Sequence, residues 1–189
     1  TLQIDDEIFT YTGVTSTTFT GVTRATSSTT AAAHTATSDT TRTVVSESWT
    51  ERDSGRTSAG KYSFERFNFD GNNKIVVVDG VNAPTVFNSA LSATDVSTSS
   101  VLGASIVASY REHMFYAGMP LTGNSGPQEL VFSQPFDEDA FSSGSGAGSI
   151  KVDDTIVGLK VFRDGLFIFC ENRIFKLTGN SLSDFAVQA

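Results

Sequence analysis

His34 and His113 are the only side chains in the sequence whose ordinary pKa suits a general base near neutral pH. A nucleophilic triad needs such a base beside a hydroxyl or thiol, with a third group orienting it. His34 lies in a Thr/Ala-rich stretch, His113 opens an apolar strand, and no Gly-x-Ser-x-Gly elbow is present. Hydrolase chemistry of that kind is not expected. Carboxylates cluster at Asp5-Asp6-Glu7, Asp137-Glu138-Asp139 and Asp153-Asp154. A glycosidase requires two carboxylates held opposite each other, which position along a chain does not define. A calcium loop requires spaced oxygens around a turn glycine, and Asp70-Gly71-Asn72-Asn73 is too short for that template. The acidic runs read as solvated charge or as acceptors for backbone amides, with residues 137–139 the stretch best suited to a cation. Cys170 stands alone in an apolar run, which excludes a disulfide framework and a Cys-based zinc site and points to a buried, inert thiol. No Gly-x-x-x-x-Gly-Lys-Ser/Thr phosphate loop occurs. No catalytic residue, cofactor or metal is expected, and the chain does not read as an enzyme.

Composition sets the elements that position these groups. The 189 residues suffice for one ordinary domain, or one domain with a small appendage. Charged residues make up 18%, below the roughly 25% of typical soluble domains, so long salt-bridged helices are not expected. Phenylalanine occurs 15 times against one Trp and four Tyr, and large rings in a Thr/Ser/Gly background favour sheets. The net charge of −8 argues against wrapping duplex DNA, whose phosphates demand Lys and Arg. It is compatible with nucleic acid passing by without adhering. Scattered basic residues leave no nucleic-acid footprint. No apolar run approaches the length of a membrane helix, so no membrane span is expected. The chain opens at Thr1 without a methionine, which suits the ordered part of something longer.

Two segments are expected. Residues 1–43 are rich in Thr, Ser and Ala and read as a β-ribbon, with strand formers around Ile8-Phe9-Thr10-Tyr11, a turn at Gly13, and a second strand around Phe19-Thr20-Gly21-Val22. Ala31-Ala32-Ala33-His34 suits a short turn of helix. An isolated ribbon is marginal in water, so it needs a neighbouring subunit or domain. Residues 44–189 read as an antiparallel β domain. Val44-Val45-Ser46-Glu47-Ser48-Trp49 alternates as a strand does. A faint repeat of about 40 to 50 residues follows, the length of a propeller blade. Each unit has a lead strand (residues 62–69, 105–110 and 156–162) and then two apolar strands (75–78 with 85–88, 114–118 with 130–133, 166–169 with 174–177). The fold class is therefore all-β, with antiparallel strands in a propeller-blade-like or a meander or sandwich arrangement. Residues 89–100 and 142–149 read as low-complexity surface connectors. Arg111 and Arg163 occupy similar places in two repeats, with a structural role at strand ends.

Asp6-Glu7-Ile8-Phe9-Thr10-Tyr11-Thr12-Gly13-Val14, then Phe19-Thr20-Gly21-Val22-Thr23-Arg24, then Thr29-Thr30-Ala31-Ala32-Ala33-His34 resembles a motif that recurs in virion proteins of tailed phages. Two positions depart from its familiar form: Ala25 stands where a glycine follows the arginine, and Ser28 where a glycine precedes the threonine. Those glycines would serve a tight turn. Residues 110–185 resemble β-propeller-like segments of phage tail proteins through Tyr110-Arg111-Glu112-His113-Met114-Phe115-Tyr116-Ala117-Gly118, Val131-Phe132-Ser133, Phe136-Asp137 and residues 162–179 with Asp184-Phe185. The resemblance implies a virion tail component of the nozzle, adaptor or hub-associated kind, homo-oligomeric in a ring and beside other tail proteins. Assembly would be its mechanism, with Phe9, Tyr11, Phe19 and Arg24 of the ribbon as the expected inter-subunit contact. The competing readings are a tail-fibre or host-receptor module binding a glycan through residues 119–128 and 142–149, and a capsid decoration protein.

Overall fold

The computed structural model describes residues 1–34, 50–58, 60–121 and 125–189. The chain divides into two compact units, Thr1–Trp49 and Thr50–Ala189. The strand expected at Val44-Val45-Ser46-Glu47-Ser48-Trp49 lies outside the described residues, as do residues 122–124 of one candidate receptor loop.

The first unit holds two short ribbons. Strand β1 (Leu2–Ile4) pairs antiparallel with β2 (Glu7–Phe9) across the two-residue loop Asp5-Asp6, and β3 (Gly13–Val14) pairs with β4 (Phe19–Thr20). A bridge between Thr10 and Thr23 continues the second ribbon toward β2, with reciprocal amide bonds of 2.9 and 2.8 Å. Residues 31–34 adopt no helix. The Ala32 amide is instead spent on a side chain 25 positions back in sequence, that of Glu7.

The second unit is all-β and antiparallel, and its described strands form no closed barrel. It consists of three four-stranded sheets, each a meander of consecutive strands. The first runs β5 (Ser63–Phe69), β6 (Asn72–Val78), β7 (Thr85–Phe87) and β8 (Ala93–Asp95). The second runs β9 (Ile106–Tyr110), β10 (His113–Ala117), β11 (Glu129–Phe132) and β12 (Gly148–Lys151). The third runs β13 (Ile156–Phe162), β14 (Gly165–Cys170), β15 (Ile174–Thr178) and β16 (Ala186–Gln188). The fourth strand of the first two sheets was hidden in stretches that read as connectors. Residues 89–100 supply β8 and a 3-10 turn at Ser99–Val101, while residues 142–149 supply a 3-10 turn at Ser143–Ser145 and the start of β12.

The lead hairpin of each sheet is closed by a two-residue loop at an equivalent place: Asp70-Gly71, Arg111-Glu112 and Arg163-Asp164. Both residues of the first two loops have positive φ (54° and 78°, then 49° and 65°). That is the mirror-image turn whose twist matches the flanking strands. Glycine takes the strained position only in the first sheet. Arg111 and Arg163 sit over the ring that precedes each of them, Tyr110 and Phe162, both 5.5 Å from ring centroid to guanidinium. At the strand ends each therefore makes a cation–π contact, and the Arg111 charge also acts on the Asp164 carboxylate.

Period-two alternation sorts the apolar residues into two cores. Phe67, Phe69, Val76, Val78 and Val86 of the first sheet pack with Val107, Met114, Tyr116 and Val131 of the second. Ala108, Tyr110, Phe115, Leu130 and Phe132, on the other face of that second sheet, pack with Leu166, Ile168, Phe175 and Leu177 of the third. Few polar bonds cross between the sheets. Glu65 accepts from the Ser109 hydroxyl at 2.6 Å, Lys74 pairs with Glu138, and the Tyr110 hydroxyl donates to the Asp164 carbonyl at 2.7 Å.

Two outcomes test this account by chemical denaturation. Replacing Arg111-Glu112 with Asn-Gly (R111N/E112G) is expected to stabilise the second unit by about 1 kcal/mol, through relief of left-handed strain. Phe115→Ala is expected to destabilise it by about 3–5 kcal/mol, because the ring is fully buried between the second and third sheets.

Candidate functional site

The densest polar constellation lies in the first unit, around Glu7. Strand β2 directs Glu7 and Phe9 to the same buried face, and the Glu7 side chain is only 1% exposed. A buried carboxylate persists only when its oxygens are satisfied. Oε1 accepts from Arg24 Nε at 2.9 Å and from the Ala25 amide at 3.1 Å. Oε2 accepts from Arg24 Nη2 at 2.6 Å, from the Ala32 amide at 2.9 Å and from His34 Nε2 at 2.9 Å. The guanidinium thus grips both oxygens in a fork, the geometry for which arginine is suited and lysine is not. It also bonds the Ala32 carbonyl and lies 5.4 Å over the Phe9 ring.

His34 closes the arrangement. Its Nδ1 lies 2.8 Å from Asp5 Oδ2 while its Nε2 faces Glu7. Ionised carboxylates only accept hydrogen bonds, so the two contacts favour the imidazolium form, with a proton on each ring nitrogen. Asp5 foremost, and then Glu7, raise the His34 pKa above its ordinary 6.5. Arg24 foremost, helped by the Ala32, His34 and Ala25 donors, holds Glu7 well below the ordinary carboxylate range against the opposing cost of burial. Every polar atom at the centre is matched. The cluster is a clasp that pins residues 24–34 onto the β1–β2 ribbon, with no unsatisfied base or nucleophile for chemistry.

The backbone must turn sharply to deliver these donors. Ala25, Ser27 and Ser28 have φ of 55°, 55° and 64°. Two of these three are the positions where glycines were absent from the motif. The tight turn forms without them and carries the strain of left-handed non-glycine residues. Thr26 and Thr29 hold it in place: both the amide and the hydroxyl of Thr26 donate to the Ile8 carbonyl at 2.9 Å, and the Ile8 amide donates to Thr29 Oγ1 at 3.1 Å.

The four expected contact residues fall into two pairs. Phe9 is buried beneath Arg24 and beside the His34 ring, and Arg24 is committed to Glu7, though its side chain remains 49% exposed. Tyr11 and Phe19 pack against each other with their rings tilted by 50°, 4.8 Å between ring centroids. Phe19 remains 39% exposed, and Val14 and Val22 on the same ribbon are exposed with it. Sequence reasoning did not select Asp5, Glu7 or His34 as partners. The signal was present in the motif itself, which begins near Glu7 and ends at His34.

The second unit offers no better chemistry. His113 is buried, with Nδ1 donating to the Ser133 carbonyl at 2.6 Å and Nε2 without a partner among the rings of Phe115, Phe132 and Phe185. The Ser133 hydroxyl is turned away, donating to the Gln134 carbonyl and accepting from the Met114 amide. Cys170 is a free, buried thiol whose pKa burial pushes up. A cleft of about 470 Å³ on the first sheet is lined by Glu51, Asp53, Arg56, Tyr62, Asp79 and Phe87. Within it Arg56 pairs with Asp53 and Asp95, and Asp79 accepts from the Val81 and Asn82 amides. Among the described residues no cluster suits a metal ion, and no helix is long and apolar enough to cross a membrane. Comparison with family models, with curated proteins and with solved structures finds no match for this chain.

The clasp has a defined pH window. The Glu7 contribution is present above its ordinary value of 4.5 and is lost as pH falls through the depressed value. The His34 contribution is complete below 6.5 and is lost as pH rises through the raised value. In an NMR titration His34 is expected to lose its proton above pH 6.5, and Asp5→Asn to lower that midpoint. A His34 midpoint at or below 6.5 would show that the ring is not gripped by the two carboxylates. Ala25→Gly and Ser28→Gly are each expected to stabilise the first unit by about 0.5–1 kcal/mol, read from amide-exchange protection at Ala32.

Proposed function

We propose that this chain is a structural component of a tailed-phage virion, acting in the tail as a nozzle, adaptor or hub-associated subunit by assembly with copies of itself and with neighbouring tail proteins. One observation carries the reading. The residues of the phage-virion motif (Glu7, Arg24, Thr29 and His34) spend their hydrogen-bonding capacity on one another and on the backbone between them. A motif of that kind specifies a shape rather than a reaction. Its product is a small ribbon unit that carries the Tyr11–Phe19 ring pair on its accessible side, which suits contact with another protein. A net charge of −8 suits a surface that DNA passes without adhering.

One feature favours a second reading, a receptor- or glycan-binding module. The cleft on the first sheet combines the exposed ring of Tyr62 with carboxylates at Glu51 and Asp53. Aromatic faces beside carboxylates are a common way to hold a sugar.

Immunogold labelling of purified particles separates the readings. Label on the tail tube or its distal end is expected. Chain found only in the soluble lysate, and absent from particles, overturns the virion reading. Label confined to fibres, together with saturable binding on a glycan array that Tyr62→Ala abolishes, supports the receptor module instead.

A further inference from the structure

We propose that the outer face of the third sheet is a docking seat for the first sheet of a second copy of this chain, head to tail. The proposal deepens the assembly reading above and names the surfaces that assembly uses.

The three sheets of the second unit are equivalent in build. Aligning the lead hairpins on their two-residue loops makes Phe69, Tyr110 and Phe162 equivalent, and likewise Asn72, His113 and Gly165. Each sheet then has one face toward the next sheet in the chain and one toward the previous sheet. In the first two sheets the forward face is buried, by Phe67, Phe69 and Val76 in one and by Ala108, Tyr110 and Phe115 in the other. In the third sheet the same face meets no following sheet. It carries Phe162, Phe167 and Phe169 on β13 and β14, with Ile174 across from Phe169 on β15. Phe162 is 60% exposed, and Phe169 and Ile174 are exposed with it. The aromatic character of the forward face is retained where no further sheet of the second unit follows among the described residues.

The rearward face of the first sheet shows the complementary condition. The rearward faces of the second and third sheets are buried, by Val107, Met114 and Tyr116 and by Leu166 and Ile168. The first-sheet equivalents of Val107, Met114 and Tyr116 are Arg66, Asn73 and Ile75, and the same face carries Phe64, with Phe87 beside Ile75 on β7. Phe64 is 70% exposed and Ile75 is exposed. Patches of large apolar side chains on a folded surface mark contact sites.

The two faces fit each other for a reason already present in the fold. A forward face meeting a rearward face is the contact made twice within the chain, between the first and second sheets and between the second and third. A second copy repeats it a third time with the same handedness. Such a contact is heterologous, joining different surfaces of two identical chains, so it closes only as a ring. Two copies bring six sheets, within the four to eight that close around an axis in propellers.

Complementation between two variants tests this. The wild-type chain is expected to show twice its 20.1 kDa mass by light scattering. Phe162→Asp removes the forward face, and Phe64→Asp removes the rearward face. Either alone is expected to raise the dissociation constant about a hundredfold and leave monomer. An equimolar mixture of the two is expected to recover association, because one intact forward face meets one intact rearward face. Both residues are exposed, and circular dichroism and the unfolding midpoint verify that each variant folds. A wild-type chain that stays monomeric up to millimolar concentration overturns the proposal. So does an oligomer whose mass neither variant changes, which leaves assembly through the ribbon intact. Failure of the mixture to associate, after each variant alone has dissociated, also overturns the head-to-tail arrangement. None of these outcomes depends on where the chain is found in particles, so the virion reading stands or falls separately.

Discussion

Burial of both faces of the middle sheet is the constraint on which the second unit depends. All five residues of β10 are buried, His113 included. Met114 and Tyr116 face one core while Phe115 and Ala117 face the other. A strand with no solvent side cannot slip by one residue, because the slip would exchange two differently shaped sets of side chains. Register in the second sheet therefore fixes the position of the first and third sheets against it. The lead strands β5, β9 and β13 feel this most directly, since β9 packs against both of the others. The polar cost of the arrangement is small and specific. Tyr116 places its hydroxyl against the Glu138 carbonyl, and burial pushes its pKa up. His113 leaves Nε2 unmatched inside a cage of rings.

The first unit reaches order by a different route. Apart from Phe9, it has no buried large apolar side chain among its described residues, so the hydrophobic effect contributes little there. A carboxylate takes the place of a core. Glu7 gathers five donors from Arg24, Ala25, Ala32 and His34 onto two oxygens, and the backbone follows those donors into left-handed turns. An ionic centre is more demanding than an apolar one. Leaving one buried partner unmatched costs the desolvation of a charge, so the cluster forms complete or not at all. That property suits a recognition element whose shape must be fixed while its outer surface remains small.

Much of the second unit was legible in the sequence, because long apolar strands announce themselves by period. All nine of the strands read from residues 62–177 are present, within one to three residues at their ends. The closing strands were harder. β8 and β12 are only three and four residues long and carry Ala, Thr, Gly and Ser, so composition matches a connector while neighbouring strands impose pairing. The clasp was less legible still. Asp5, Glu7, Arg24, Ala32 and His34 are far apart in sequence, and their meeting depends on positive φ at Ala25, Ser27 and Ser28, residues with no intrinsic preference for it. Propensity predicted helix for the alanines at 31–33, and tertiary hydrogen bonding to Glu7 overrode it.

The three sheets also show how the chain treats its exposed boundaries, and the treatment is uneven. Edges are guarded. The closing strands are short, which limits the row of free backbone groups that invites edge-to-edge addition. The lead strands are longer and lie alongside one another, with β9 between β5 and β13. The two terminal faces receive no such protection. Phe64 and Phe162 stand on them as exposed rings, and the positions equivalent to Phe162, Phe69 and Tyr110, are buried in the other two sheets. Solubility alone would favour polar residues there, since a terminal face of a sheet tolerates them without cost to the core beneath. The first sheet meets that demand in part, with Arg66, Asn68 and Asn73 exposed beside Phe64 and Ile75, whereas the third keeps Phe162, Phe169 and Ile174 exposed together.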